Sequence, residues 1–137
     1  MRKYLDDIGV YARPENSWGE SKWTDTDDRK ARWKEQQETY GFDDRETYSL
    51  DTTFYMWLYE RVMMYKEVAS EIVNLEDEHR KFTLNGEEYT QLAYINLLID
   101  KLKFVLSSGV DIWDTEYEGS TKEIGYMWAE LLPAMWW

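Results

Sequence analysis

His79 is the only histidine of the chain, and it follows three carboxylates in Glu76-Asp77-Glu78-His79. A carboxylate beside an imidazole can move a proton near neutral pH or help to hold a hard metal ion. Residues adjacent in sequence do not share a face, however, and this segment lies between two amphipathic stretches. It reads better as a solvated, charged connection. Glu67 and Glu71 stand at i and i+4, the spacing that brings two carboxylates together on one helix face. A carboxylate metal centre or a nucleotide pyrophosphatase in a helical bundle would need a second acidic pair on a facing helix. The other helical stretches offer Asp100, Glu123 with Glu130, or Asp27 with Asp28, which is too sparse. The absence of cysteine excludes thiol catalysis, disulfides and Cys-ligated zinc. The chain also has no glycine-rich phosphate loop and no nucleophile motif. It is therefore read as a non-enzyme, with no catalytic residues, no cofactor and no metal.

The chemistry that remains is recognition. Asp and Glu number 28 against 16 Lys and Arg, for a net charge of −12, and the 137 residues include 8 Trp and 11 Tyr. A surface this acidic repels phosphate backbones and anionic membranes, and it is steered toward basic protein surfaces. Trp and Tyr are the side chains that dominate both cores and interface hot spots. Two local features stand out. Asp43, Asp44 and Glu46 cluster just after Gly41, and Trp136 and Trp137 end the chain after Pro133. The Trp pair either staples the core or projects as a hook, and the solubility conferred by the remaining charge tilts the reading toward a hook. The expected partner-binding set is thus Asp43, Asp44, Glu46, Trp136 and Trp137. The expected partner is a protein with a basic surface, with no direct nucleic-acid contact and no membrane. Homo-oligomerisation is a second use for exposed aromatics.

The positioning elements are helical. A chain with 43% hydrophobic and 32% charged residues has a globular composition, and its length suits one domain. Met1 to Asp7 has two basic residues but no apolar run behind them, unlike a signal peptide, and no stretch approaches the ~20 apolar residues of a membrane span. These features lead us to expect a soluble cytoplasmic protein. Residues 1–23 read as an irregular aromatic arm held by Tyr4, Leu5, Ile8, Tyr11, Trp18 and Trp23, followed by a single helical domain over 24–137. Capping signals and apolar spacing predict helices near 26–40, 50–73, 90–107 and 120–132. The two middle helices should run antiparallel and pack through Phe54, Leu58, Val62, Tyr65, Leu92, Ile95, Ile99 and Leu102, with Trp57 buried on the same stripe. Asn85-Gly86 between short alternating flanks predicts a β-hairpin. Thr90 reads as the cap of the third helix. The fold class is mainly α: a small domain of three to four helices with one short β-hairpin.

The segment Tyr40-Gly41-Phe42-Asp43-Asp44-Arg45-Glu46-Thr47-Tyr48-Ser49-Leu50-Asp51-Thr52-Thr53-Phe54 resembles a motif of small proteins from tailed bacteriophages and prophages. In those proteins, as here, an aromatic-rich helix similar to Trp57-Leu58-Tyr59-Glu60-Arg61 follows. A segment similar to Phe82…Asn85-Gly86…Thr90-Gln91 then precedes a second long helix. The similarity spans residues 38–106 and leaves both termini outside it. It implies a setting, the cytoplasm of an infected host bacterium, and no catalytic residues. Beside it, the residues themselves describe a helix–turn–helix corner, with Gly41 ending one helix and Asp51 near the positive end of the next.

Three functions follow. The first is a phage-encoded acidic interaction protein that inhibits a bacterial defence system, as a DNA mimic, by covering a basic, nucleic-acid-binding surface. The second is a structural, assembly or virion accessory protein that oligomerises through exposed aromatics. The third is a small helical nucleotide-binding protein or hydrolase, disfavoured by the scarcity of clustered basic residues for phosphate.

Overall fold

The computed structural model describes residues 1–11, 27–107, 113 and 115–137. Their regular structure comprises six α-helices and one two-stranded antiparallel hairpin, so the protein is mainly α. The helices are α1 (Lys3–Asp7), α2 (Asp27–Tyr40), α3 (Arg45–Tyr48), α4 (Leu50–Ala69), α5 (Gln91–Leu106) and α6 (Thr115–Leu131). Strands β1 (Lys81–Leu84) and β2 (Glu87–Thr90) precede α5, and a 3₁₀ turn over Leu132–Ala134 follows α6.

The hairpin and the start of α5 form from local chemistry. Asn85 and Gly86 both take positive φ, 52° and 84°, as a type I′ turn requires, and these two residue types tolerate that region best. Pairing runs from Lys81 opposite Thr90 to Leu84 opposite Glu87. Thr90 then caps α5, its Oγ1 accepting from the Ala93 N–H at 3.2 Å, which satisfies one of the first-turn amides.

α5 is the central element, packed on α4, on α6 and on both strands. Leu98 and Leu102 of α5, Leu58 and Val62 of α4, and Ile124 and Met127 of α6 are almost wholly removed from water. Phe82 and Leu84 of β1 close one side of this core, and Leu5 of α1 joins it.

Several expectations need correction. Residues 3–7 of the supposedly irregular arm are helical, because Leu5 is fully buried and Tyr4 and Ile8 pack beside it. Tyr11 is exposed, and Trp18, Trp23 and residues 24–26 lie outside the described residues. α4 stops at Ala69, not at 73. There the Ser70 hydroxyl donates to the Lys66 carbonyl, and the Glu71 and Ile72 amides tighten onto Val68 and Ala69, a competition that ends a helical ladder.

α6 begins at Thr115, about a turn and a half before the expected start, and the glycine at 119 is carried inside it. The extra turn is anchored by Tyr117, whose buried ring sends its hydroxyl to Asp51 Oδ2 at 2.8 Å. Trp57 is 43% exposed and Phe54 38%, because α4 turns Tyr55, Met56, Leu58, Tyr59 and Val62 to the core instead. Tyr65 and Leu92, also expected in that core, are partly buried at its edge.

Candidate protein-interaction surface

The acidic corner after α2 is built inward. α2 is polar around most of its circumference and buries one side chain, Trp33. It ends at Gly41, whose φ of +85° suits a residue without Cβ. The chain then folds so that Asp43 Oδ1 accepts from the backbone N and Nε of Arg45, at 3.1 and 3.0 Å. Asp43 Oδ2 accepts from Arg45 Nη2 at 2.8 Å and Gln37 Nε2 at 2.5 Å. The Arg45 guanidinium lies 4.1 Å from the centre of the Trp33 ring. Hydrogen bonding to this guanidinium holds the Asp43 carboxyl below the usual carboxylate range, against the opposing effect of burial.

Asp44 is engaged in the same place. Its carboxylate accepts from Trp33 Nε1 at 3.0 Å and pairs with Arg32 at 3.1 Å, while its amide donates to Gln36 Oε1. Asp43 is only 5% exposed, so its carboxylate is not offered to a partner: the ion pair that the sequence supplies two residues away has consumed it. Asp44 and Glu46 are half-buried. The corner is chiefly a clasp that ties α2 to the turn entering α3.

The C-terminal aromatics sit differently. Gln91, buried in the first turn of α5, donates from Nε2 to the Ala134 carbonyl at 3.3 Å and to the Tyr65 hydroxyl at 3.4 Å. Tyr65 in turn donates to the Trp136 carbonyl at 3.1 Å, and Ala134 and Met135 pack on the core. The backbone of the tail is therefore pinned, yet Trp136 and Trp137 are 60% and 62% exposed. The tail combines both roles expected of it. Residues 134–135 act as the staple, and the two indoles project.

Trp136 does not stand alone. The Arg80 guanidinium lies 5.8 Å from the centre of its ring. With Val73, Asn74, Asp77, Arg80 and Gln91, it lines a hollow of about 150 Å³, too small for most organic ligands, whose pockets run to ~300 Å³ or more. Glu71, Glu76 and Glu78 are exposed on the same connecting segment. The tail thus displays two rigid aromatic groups beside a run of carboxylates. Sequence reasoning missed Tyr65, Arg80 and Gln91 as their support. Only the position of Gln91 behind its cap, Thr90, hinted at an inward-facing amide.

The other polar groups singled out in the sequence are dispersed over the fold. His79 is exposed and its amide donates to Asp77 Oδ1 at 2.9 Å. Glu67 accepts from the Tyr4 hydroxyl at 2.8 Å, whereas Glu71 lies past the end of α4. The Tyr94 hydroxyl donates to Glu130 Oε2 at 2.6 Å, and burial first, then this carboxylate, pushes its ionisation well above that of a free phenol. Tyr117 is raised by the same causes, with Asp51 as its acceptor. Among the described residues, no three His, Asp, Glu or Cys side chains form a metal-binding group, and no helix is long and apolar enough to cross a membrane. No protein-family model, curated protein or solved structure matches the chain.

Proposed function

We propose that the protein is an acidic interaction protein that binds a basic surface of a protein partner, with Trp136 and Trp137 as anchors. The observation that carries this reading is the pair of indoles, each about 60% exposed, on a backbone pinned by Gln91 and Tyr65. Rigid, pre-positioned Trp side chains lose little freedom on binding and are the commonest hot spots. Glu71, Glu76 and Glu78 supply the charged rim that steers encounter with a basic surface. The resemblance to phage proteins gives the proposal its setting. The partner would be a nucleic-acid-binding protein of a bacterial defence system, and the acidic surface would compete for the groove that phosphates occupy, inside the infected cell.

The test compares three variants for capture of a partner from bacterial lysate and for melting temperature. Trp136→Ala/Trp137→Ala should abolish capture and leave melting within about 2 °C of wild type, because both rings are largely in water. Glu76→Lys/Glu78→Lys should slow association more than dissociation, and binding should weaken steeply toward ~0.5 M salt. Truncation after Pro133 should lose capture and also lower the melting temperature, because the staple goes with the hook. Capture unaffected by the double Trp variant would overturn the proposal, and binding indifferent to salt would remove its electrostatic half.

A further inference from the structure

The hollow beside Trp136 is lined by opposite charges that do not pair. Asp77 and Arg80 both face it, yet among the described residues neither makes an ion pair. Asp77 Oδ1 accepts from the His79 amide at 2.9 Å, which holds the carboxylate in place and leaves Oδ2 without a donor. The Arg80 guanidinium rests near the Trp136 ring, 5.8 Å from its centre, with no acceptor among the described residues. Asn74 is held in the same manner as Asp77: its Oδ1 takes the Glu76 amide at 3.0 Å, and its Nδ2 is left over. Gln91 is the one buried member of the lining, 3% exposed. Its Nε2 is spent on the Ala134 carbonyl and the Tyr65 hydroxyl. Its Oε1 therefore stands as a buried acceptor with no donor among the described residues, a condition that calls for a partner.

We infer that this hollow binds a small free α-amino acid as its zwitterion. The ammonium donates to Asp77 Oδ2 and Gln91 Oε1, and the carboxylate accepts from the Arg80 guanidinium and Asn74 Nδ2. Both sets are charge-assisted, the stronger kind of hydrogen bond. Val73 and the Trp136 ring flank the side chain. Charge decides against simpler ligands. A lone cation meets Arg80, and a lone anion meets Asp77 in a chain of net charge −12. A zwitterion matches both charges and is itself neutral, so the field of the whole molecule neither repels nor concentrates it.

Size fits the same class. The volume of about 150 Å³ equals roughly five waters at ~30 Å³ each, and alanine has six non-hydrogen atoms. So few atoms in an open hollow give weak binding, with a dissociation constant on the order of a millimolar. This inference goes beyond the protein-partner reading. The two share Trp136, but a free amino acid can be tested without any partner present.

Titration of the full chain with L-alanine at neutral pH, over roughly 0.1–20 mM to bracket that constant, is followed in proton–nitrogen correlation spectra. The side-chain amide of Gln91 and the indole N–H of Trp136 should shift and saturate. Ammonium acetate, which carries the two charges on separate ions, should give no saturating shift. Alaninamide lacks the carboxylate and N-acetylalanine lacks the ammonium, and each should bind roughly tenfold or more weakly than alanine. Asp77→Asn keeps an acceptor for the His79 amide, and it should abolish the preference for alanine over N-acetylalanine. Arg80→Met should abolish the preference for alanine over alaninamide. Both variants change half-buried or exposed side chains, and unchanged melting temperatures will show that the fold is kept. No saturating shift up to about 20 mM, equal binding of alaninamide or N-acetylalanine, or variants that bind alanine as wild type does would each overturn the inference. Capture of a protein partner is measured separately, so a failure there leaves this result standing, and the reverse.

Discussion

Replacing Asp43 by Ala asks whether this carboxylate serves the fold or a partner. The side chains of Asp43 and Arg45 are 5% and 10% exposed and share two near-parallel hydrogen bonds, at 3.0 and 2.8 Å. Removing one member of such a buried pair typically costs about 3–5 kcal/mol, because the other charge stays desolvated without its counter-ion. Here that charge is Arg45 beneath Trp33, and Gln37 loses its acceptor as well. The cost should fall on α2, which buries only Trp33 and, as an isolated helix of 14 residues, would be marginal in water.

Native-state hydrogen exchange is the appropriate assay. Protection of α2 amides should fall by about two to four orders of magnitude, at 1.4 kcal/mol per decade, while α5 amides keep theirs. Trp33 emission should move to the red as its ring meets water. Arg45→Met should do much the same, and the double variant should cost less than the sum of the singles by about 2–3 kcal/mol. Unchanged α2 protection in Asp43→Ala would refute the clasp and return Asp43 to the list of carboxylates open to a partner.

Trp57→Ala should cost about 1–2 kcal/mol against about 3–5 for Leu58→Ala, since Leu58 is fully buried and Trp57 is not; denaturant midpoints distinguish them. The phenols of Tyr94 and Tyr117 ionise above their ordinary value of 10.0. Their contribution is therefore fully present below about pH 10, where the unfolded chain keeps its protons, and is lost as pH rises beyond it. Urea midpoints should drop above that pH, and Tyr94→Phe/Tyr117→Phe should flatten the drop. Thr90→Ala should cost about 1 kcal/mol through the lost cap, seen as a lower melting temperature with the hairpin intact.

Where local chemistry decides the backbone, the sequence was readable. The positive φ values of Asn85 and Gly86, the cap at Thr90 and the apolar face of α5 could each be placed from a few neighbouring residues. α4 shows why the rest was not. Its apolar residues form two stripes, one through Tyr55, Leu58, Tyr59 and Val62 and one through Leu50, Phe54, Trp57 and Met64. Periodicity identifies a helix carrying two such stripes but cannot say which one meets the core. That choice is tertiary, made by what α1, α5 and α6 bring to it. α1 escaped notice for a related reason: its helix is five residues long and owes its order to the burial of Leu5, not to propensity.

The candidate site divides along the same line. An acidic cluster was visible at Asp43, Asp44 and Glu46, but exposure is not written in composition, and the arginine two residues on from Asp43 was the overlooked clue. An aspartate with an arginine at i+2 can close on that arginine's own amide and guanidinium in an Asx turn. Once closed, its negative charge is neutralised locally and contributes little to any outward field. Glu78 also has an arginine at i+2, Arg80, yet it stays exposed with Glu71 and Glu76: the longer side chain does not make an Asx turn, and Arg80 is turned to the Trp136 ring instead. Asp77 and Trp136 line the same hollow, so part of the charge of this segment lies against the tail that carries the two indoles.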